Sequence, residues 1–125
     1  DFFLVISYNP GYQSAVKDLK ESTKQRFASI DFTYADPARE RAIVAAEAGI
    51  EDDLAGRLVA IAAASRNLSG KGLDEGASTR TLIRAGRLIA RGIAPADACE
   101  LAIVSPLTDD ADLRGALRSA VAACL

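Results

Sequence analysis

Hydrophobic positions along the chain follow two different periods. Residues 2–8 open with Phe2-Phe3-Leu4-Val5-Ile6, apolar at every position, and are closed by Asn9-Pro10-Gly11. An unbroken apolar run of that length, rich in aromatic and β-branched residues and ended by turn formers, predicts a buried β-strand. A second short strand is predicted over Ser29–Tyr34, where Ile30, Phe32 and Tyr34 alternate with Asp31 and Thr33. Between the two lies a polar stretch, Gln13–Gln25, with weak helical signals at Ser14–Leu19 and Ser22–Phe27.

From Asp36 the period lengthens to that of a helix. Asp36-Pro37 supplies an N-cap followed by proline at the first helical position, and this helix stops at Gly49. The next is predicted over about Glu51–Asn67, with Leu54, Leu58, Ile61 and Ser65 on one face and acids crowding its N-terminus. Ser69–Gly76 is a glycine-rich loop. Ser78 caps a third helix that runs to Arg91 before Gly92. Pro95 begins a fourth, ending near Val104 ahead of Ser105-Pro106. Thr108 or Asp109 starts a fifth, carrying Leu113, Leu117, Val121 and Leu125.

A strand that is apolar on both faces belongs inside a larger, parallel sheet. The expected fold is therefore mainly α, about five helices preceded by one or two orphan strands from a truncated α/β core. Residues 1–35 are the remnant of that core and 36–125 the helical domain. The absence of methionine points the same way: Asp1 is not expected to be a translation start.

Composition narrows the picture. Half of the 125 residues are hydrophobic and 26% charged, a globular balance, and no stretch approaches the ~18 consecutive apolar residues of a membrane span. A net charge of -2 and a pI near 5.1 weigh against nucleic-acid binding. Cys99 and Cys124 are the only soft ligands beside no histidine, too few for a zinc site; both lie in alanine-rich helical patterns that suit buried reduced thiols.

The chain lacks a phosphate-binding Gly-x-x-x-x-Gly-Lys-[Ser/Thr] loop and a strand ending in paired acids, so alone it is expected to be inactive toward a triphosphate. Three places remain for chemistry. Asn9 sits where a buried strand ends, the edge at which α/β sheets bind ligands, although Asn-Pro-Gly is also plain turn chemistry. Arg26 stands beside Phe27, where a surface ion pair would explain it equally well. Arg80, Arg84, Arg87 and Arg91, spaced 4, 3 and 4, fall on one stripe less than ~90° wide. Four like charges on one face repel unless they meet anions, from within the chain or from outside it. Arg80 also lies in the first turn, where a helix N-terminus favours phosphate.

These places fall together in one family. Phe3-Leu4-Val5-Ile6-Ser7-Tyr8-Asn9-Pro10 resembles the strand of MoxR-type AAA+ ATPases that ends in Asn-Pro. Leu19-Lys20-Glu21-Ser22-Thr23-Lys24-Gln25-Arg26-Phe27 resembles their segment ending in Asp-Arg-Phe, and Glu75-Gly76-Ala77-Ser78-Thr79-Arg80 their Gly-Ala-Ser-Pro-Arg motif. Ser7-Tyr8-Asn9-Pro10-Gly11-Tyr12-Gln13, Gly76–Arg80 and Pro106-Leu107-Thr108-Asp109-Asp110 are similar to the CbbQ/NorQ/NirQ branch in particular, while Lys20 and Gln25 depart from the wider group. The resemblance implies that Asn9 is the sensor that positions the attacking water, Arg26 the arginine finger offered to a neighbouring subunit's nucleotide, and Arg80 the lid sensor for the nucleotide of its own subunit. It further implies ATP and Mg²⁺ held mainly by residues outside this chain. The implied assembly is a cytoplasmic ring, usually a hexamer. It would work with a von Willebrand A-domain adaptor to activate a metabolic enzyme of the Rubisco or nitric oxide reductase type. The alternative is an independently folded helical interaction module without nucleotide activity.

Overall fold

A computed structural model of the protein describes residues 2–7 and 21–125. They divide into two compact units, Asp1–Phe32 and Thr33–Leu125. The first contains one helical turn, α1 (Glu21–Lys24), which overlaps the weak signal at Ser22–Phe27 and starts one residue earlier. The signal at Ser14–Leu19 and the turn Asn9-Pro10-Gly11 lie outside the described residues.

The second unit is mainly helical. In α2 (Pro37–Ala48) the Asp36 carboxylate accepts from the Arg39 N–H at 3.0 Å, and Gly49, at φ +68°, closes the far end. That left-handed conformation is what glycine supplies at a helix terminus. Helix α3 (Asp52–Arg66) begins with Asp52 and Asp53 against the positive end of its dipole and buries Ala55, Leu58, Ile61, Ala62 and Ser65. Helix α4 (Thr79–Ala90) is capped by Ser78 and buries Leu82, Ala85 and Gly86. A Cβ at Gly86 would stand 2.6 Å from that of Ala48, so the absent side chain sets how closely α2 and α4 approach.

The fourth predicted helix does not stop before Pro106. Helix α5 (Pro95–Cys99) widens into a π-helical segment, π1 (Glu100–Val104), and continues as α6 (Ser105–Leu107). Proline inside a regular helix clashes with the carbonyl four residues earlier and lacks the N–H to bond it. Here the Ser105 N–H reaches the Glu100 carbonyl, five residues back, and the wider turn accommodates Pro106. Helix α7 (Ala111–Cys124) follows, capped by Asp110 at 2.9 Å from the Leu113 N–H. The cap is thus neither Thr108 nor Asp109.

Helix α3 sits at the centre, against α2, α4 and α7, while α4 also packs on α5 and π1. Leu58, Ile61, Leu82, Ile103 and Leu117, all but sealed from solvent, form the large-residue core. Each contributes about 1.5–3 kcal/mol of burial. Alanines at 55, 62, 85 and 102 let the helices close around it.

The mainly helical architecture is as expected, but the two strands are not. Among the described residues there is no β-strand; the single isolated bridge joins Ser69 to Leu73. Residues 2–7 and 28–34 are irregular, with Phe2, Phe3 and Phe32 about nine-tenths exposed. A strand exists only by pairing its N–H and C=O groups with a neighbour, and no described segment offers these residues a ladder partner.

Candidate functional site

The Gly76-Ala77-Ser78-Thr79-Arg80 motif is the approach to α4, and four side chains from outside the motif hold it. Ser65 donates to the Ala62 carbonyl at 2.7 Å and accepts the Ala77 N–H at 2.8 Å. Arg66 donates from Nε and Nη2 to the Ala77 carbonyl at 3.0 and 2.8 Å. Its Nη1 and Nη2 also reach both carboxylate oxygens of Glu40, at 2.8 and 2.7 Å. Thr79 donates to Glu40 Oε1 at 2.7 Å. The Tyr34 ring covers the Arg66 guanidinium at 3.7 Å, and its hydroxyl reaches the Gly76 carbonyl at 3.4 Å.

Glu40 is 1% exposed. Burial pushes its carboxyl up, but hydrogen bonds from Arg66 and Thr79 with the Arg66 charge outweigh it and hold Glu40 below the usual carboxylate value. Gly76 has no room for a side chain: an added Cβ would lie 2.6 Å from the Arg66 Cα and 2.8 Å from its backbone nitrogen.

From this anchored motif α4 runs out with its arginine stripe facing solvent. Arg80, Arg84, Arg87 and Arg91 line a surface groove of about 480 Å³ together with Ile83, Leu88 and Glu47. Arg87 donates to the Glu47 carbonyl at 3.1 Å and approaches its carboxylate at 3.4 Å. Among the described residues Arg80, Arg84 and Arg91 have no acidic partner, so the internal-anion explanation of the stripe accounts for Arg87 alone. A guanidinium cannot act as an acid or base near neutral pH. What this groove can do is hold or stabilise negative charge.

Of the predicted site residues, Asn9 lies outside the described residues. Arg26 belongs to the first unit, exposed in the turn after α1, where its N–H donates to the Thr23 carbonyl at 3.0 Å. Arg80 lies in the second unit, exposed in the first turn of α4. Glu40, Arg66 and Tyr34 escaped the sequence reading. One signal was present: Glu40, Val44 and Ala48 share a face at four-residue spacing, which puts a carboxylate on the buried stripe of α2. The cysteines are free; burial, with Cys124 nearby, pushes the Cys99 thiol up to about 11 and leaves it unreactive. Among the described residues no cluster of three or more His, Cys, Asp or Glu side chains could hold a metal, and no helix is long and apolar enough to cross a membrane.

Fold and site together define a helical lid fragment whose helix α4 presents an arginine-lined groove. Comparison with known proteins narrows this to one family. Residues 40–124 match the model of the CbbQ/NirQ/NorQ C-terminal domain. The chain is 62% identical to Protein CbbQ of Hydrogenophilus thermoluteolus over 120 residues, covering 96% of this chain and 45% of that protein. It is 48% identical to Protein NorQ of Paracoccus denitrificans over 122 residues, 98% of this chain and 45% of that one. It is 49% identical to the denitrification regulatory protein NirQ of Pseudomonas aeruginosa over 109 residues, 87% and 42% respectively. The chain belongs to the CbbQ/NirQ/NorQ C-terminal family, and it spans less than half the length of these relatives.

Proposed function

We propose that this chain is the nucleotide-sensing lid, with an adjoining piece of the core, of an AAA+ ATPase that couples ATP hydrolysis to activation of a metabolic enzyme. The observation that carries the proposal is Arg80, an exposed guanidinium in the first turn of α4, without an acidic partner among the described residues, at the head of a cationic groove. Membership in the CbbQ/NirQ/NorQ family supports the assignment.

The groove fits the polyphosphate of ATP by charge: three guanidiniums line it without acidic partners among the described residues. Arg80 would meet the phosphates, and bound nucleotide would supply the bond that is hydrolysed. A guanidinium there lowers the barrier by meeting charge that develops on the transferring phosphoryl group. Mg²⁺ and the phosphate-binding loop are assigned to the part of the longer protein that this chain does not span. Asn9 would orient the attacking water, and Arg26, exposed in its own unit, would complete the site of a neighbouring subunit in a cytoplasmic ring, usually of six. The apolar run 2–7 would pair within the core sheet of the whole protein. A Rubisco- or nitric oxide reductase-type enzyme is the proposed target, reached through a von Willebrand A-domain adaptor.

Arg80→Ala in the full-length protein is the test. Steady-state ATP turnover should fall about a hundredfold while the protein remains folded; wild-type turnover would remove Arg80 from the mechanism. The second reading, a helical interaction module, is favoured by the separate core of the unit Thr33–Leu125. It requires that this unit capture the target enzyme or adaptor equally well whether nucleotide is present or absent.

A further inference from the structure

We infer that Glu40, Arg66 and Thr79 form a positioning device whose purpose is to aim Arg80; the inference rests on the sensor reading of Arg80. The hydrogen bonds converge on the residues leading into Arg80. The Gly76 carbonyl is met by Tyr34, the Ala77 N–H by Ser65, the Ala77 carbonyl twice by Arg66, and the Thr79 hydroxyl by Glu40. Arg80 is the next residue, and its own side chain is exposed and without an acidic partner among the described residues. Its direction is therefore set from behind, by the path of the backbone that delivers it.

Stability alone does not account for the arrangement. A buried ion pair loses in desolvation about what it gains in attraction, and apolar residues of similar volume often serve folding as well or better. What an ion pair adds is geometry: a planar fork and a carboxylate fix angles that packed methyl groups leave free. Here the fork clasps a backbone carbonyl with one edge and Glu40 with the other, while the ring of Tyr34 covers its face. Glu40 in turn has one oxygen shared between Arg66 and Thr79. Thr79 is the last fixed point before the sensor.

The experiment uses the full-length protein and compares Thr79→Val, Thr79→Ser, Arg80→Ala and the double variant Thr79→Val/Arg80→Ala. Valine keeps the shape of threonine and removes the hydroxyl, so each protein should remain folded at the assay temperature, as thermal melting checks. Thr79→Val should lower kcat about tenfold with KM changed less than about twofold, because a misplaced charge costs the transition state more than binding. Thr79→Ser, which restores the hydroxyl, should return kcat to within about twofold of wild type. The double variant should turn over as Arg80→Ala does, since Thr79 acts only through Arg80. If Arg80→Ala is impaired but Thr79→Val is not, or if the two losses multiply in the double variant, the positioning role is overturned while the sensor reading stands. If Arg80→Ala turns over normally, the sensor reading falls and this inference with it. Glu40→Gln gives a second arm: where it folds, it should reproduce the kcat loss of Thr79→Val and add nothing to Arg80→Ala, and a further loss in that background would overturn the device.

Discussion

Two glycines illustrate how much a single Cβ decides. At Gly76 an added methyl group meets the backbone of α3 at Arg66, which cannot rotate out of the way. Gly76→Ala should cost about 3 kcal/mol, the upper range for overpacking, read as a lowered midpoint in denaturant. Gly115, within α7, has nothing within 4 Å of the same added atom. Gly115→Ala should therefore stabilise the chain by about 0.5–1 kcal/mol, the helix propensity difference alone. A shared sign for the two substitutions would contradict the packing described for Gly76. The sequence places Gly76 at the end of a glycine-rich loop and Gly115 inside a predicted helix, but neither setting says what a Cβ would meet. Only the position of Arg66, ten residues earlier in the chain, separates them, and that is a tertiary fact. For the same reason the motif around Arg80 was legible as a string of residues, while Glu40 and Arg66, which hold it, were not. Their partners lie 26 and 39 positions apart, beyond any local pattern.

At the scale of elements, what the sequence made legible was every helix whose end chemistry is local. Asp36-Pro37, Gly49, Ser78 and Gly92 mark termini through side chains and dihedrals that belong to one or two residues, and the helices form where those marks place them. The exceptions have physical causes. Pro106 is a stop signal only for a regular helix, and π1 evades it by shifting the bond to the fifth residue back. At α7 the sequence points to Thr108 or Asp109 as the cap, and a third residue able to cap, Asp110, follows them directly. The structure gives the cap to Asp110, while Thr108 accepts the Asp110 N–H at 3.1 Å and Asp109 pairs with Arg114 at 2.8 Å. Asp110→Ala should accordingly cost about 1 kcal/mol. Asp109→Ala removes a largely solvated ion pair and should cost ~0.5 kcal/mol or less. Denaturant melts of the two variants check the order; a larger loss at Asp109 would reassign the start of α7. The strands failed for a different reason. Alternation and apolar runs report a surface that wants a sheet, and a sheet needs a second segment to supply the ladder.

On the scale of the whole molecule, the helical unit has a core of its own: every buried residue of the main cluster lies between Val44 and Val121. Residues 33–125 expressed alone should therefore melt in one cooperative transition, and a broad melt without a baseline would show that the unit needs more of the chain. Starting instead at Asp36 removes Tyr34 from the face of Arg66 and should lower stability by about 1 kcal/mol. Acid sensitivity of this unit follows from its buried carboxylate. The Glu40 pKa is lower folded than its unfolded value of 4.5, so between the two values the unfolded chain binds the extra proton and stability rises with pH. The contribution is complete above about 4.5 and is lost as pH falls through the folded value. Glu100 shifts in the same direction, through its hydrogen bond from Arg118, but at the surface, where solvent screens the pair. Acid destabilisation should thus trace mainly to Glu40. Glu40→Gln should lower stability at pH 7, where Arg66 loses its countercharge, and flatten the dependence below pH ~4.5, where wild type loses it as well. Unfolding midpoints of the two proteins measured from pH ~7 to ~3 should therefore converge toward acid; parallel curves would place the acid-sensitive group elsewhere.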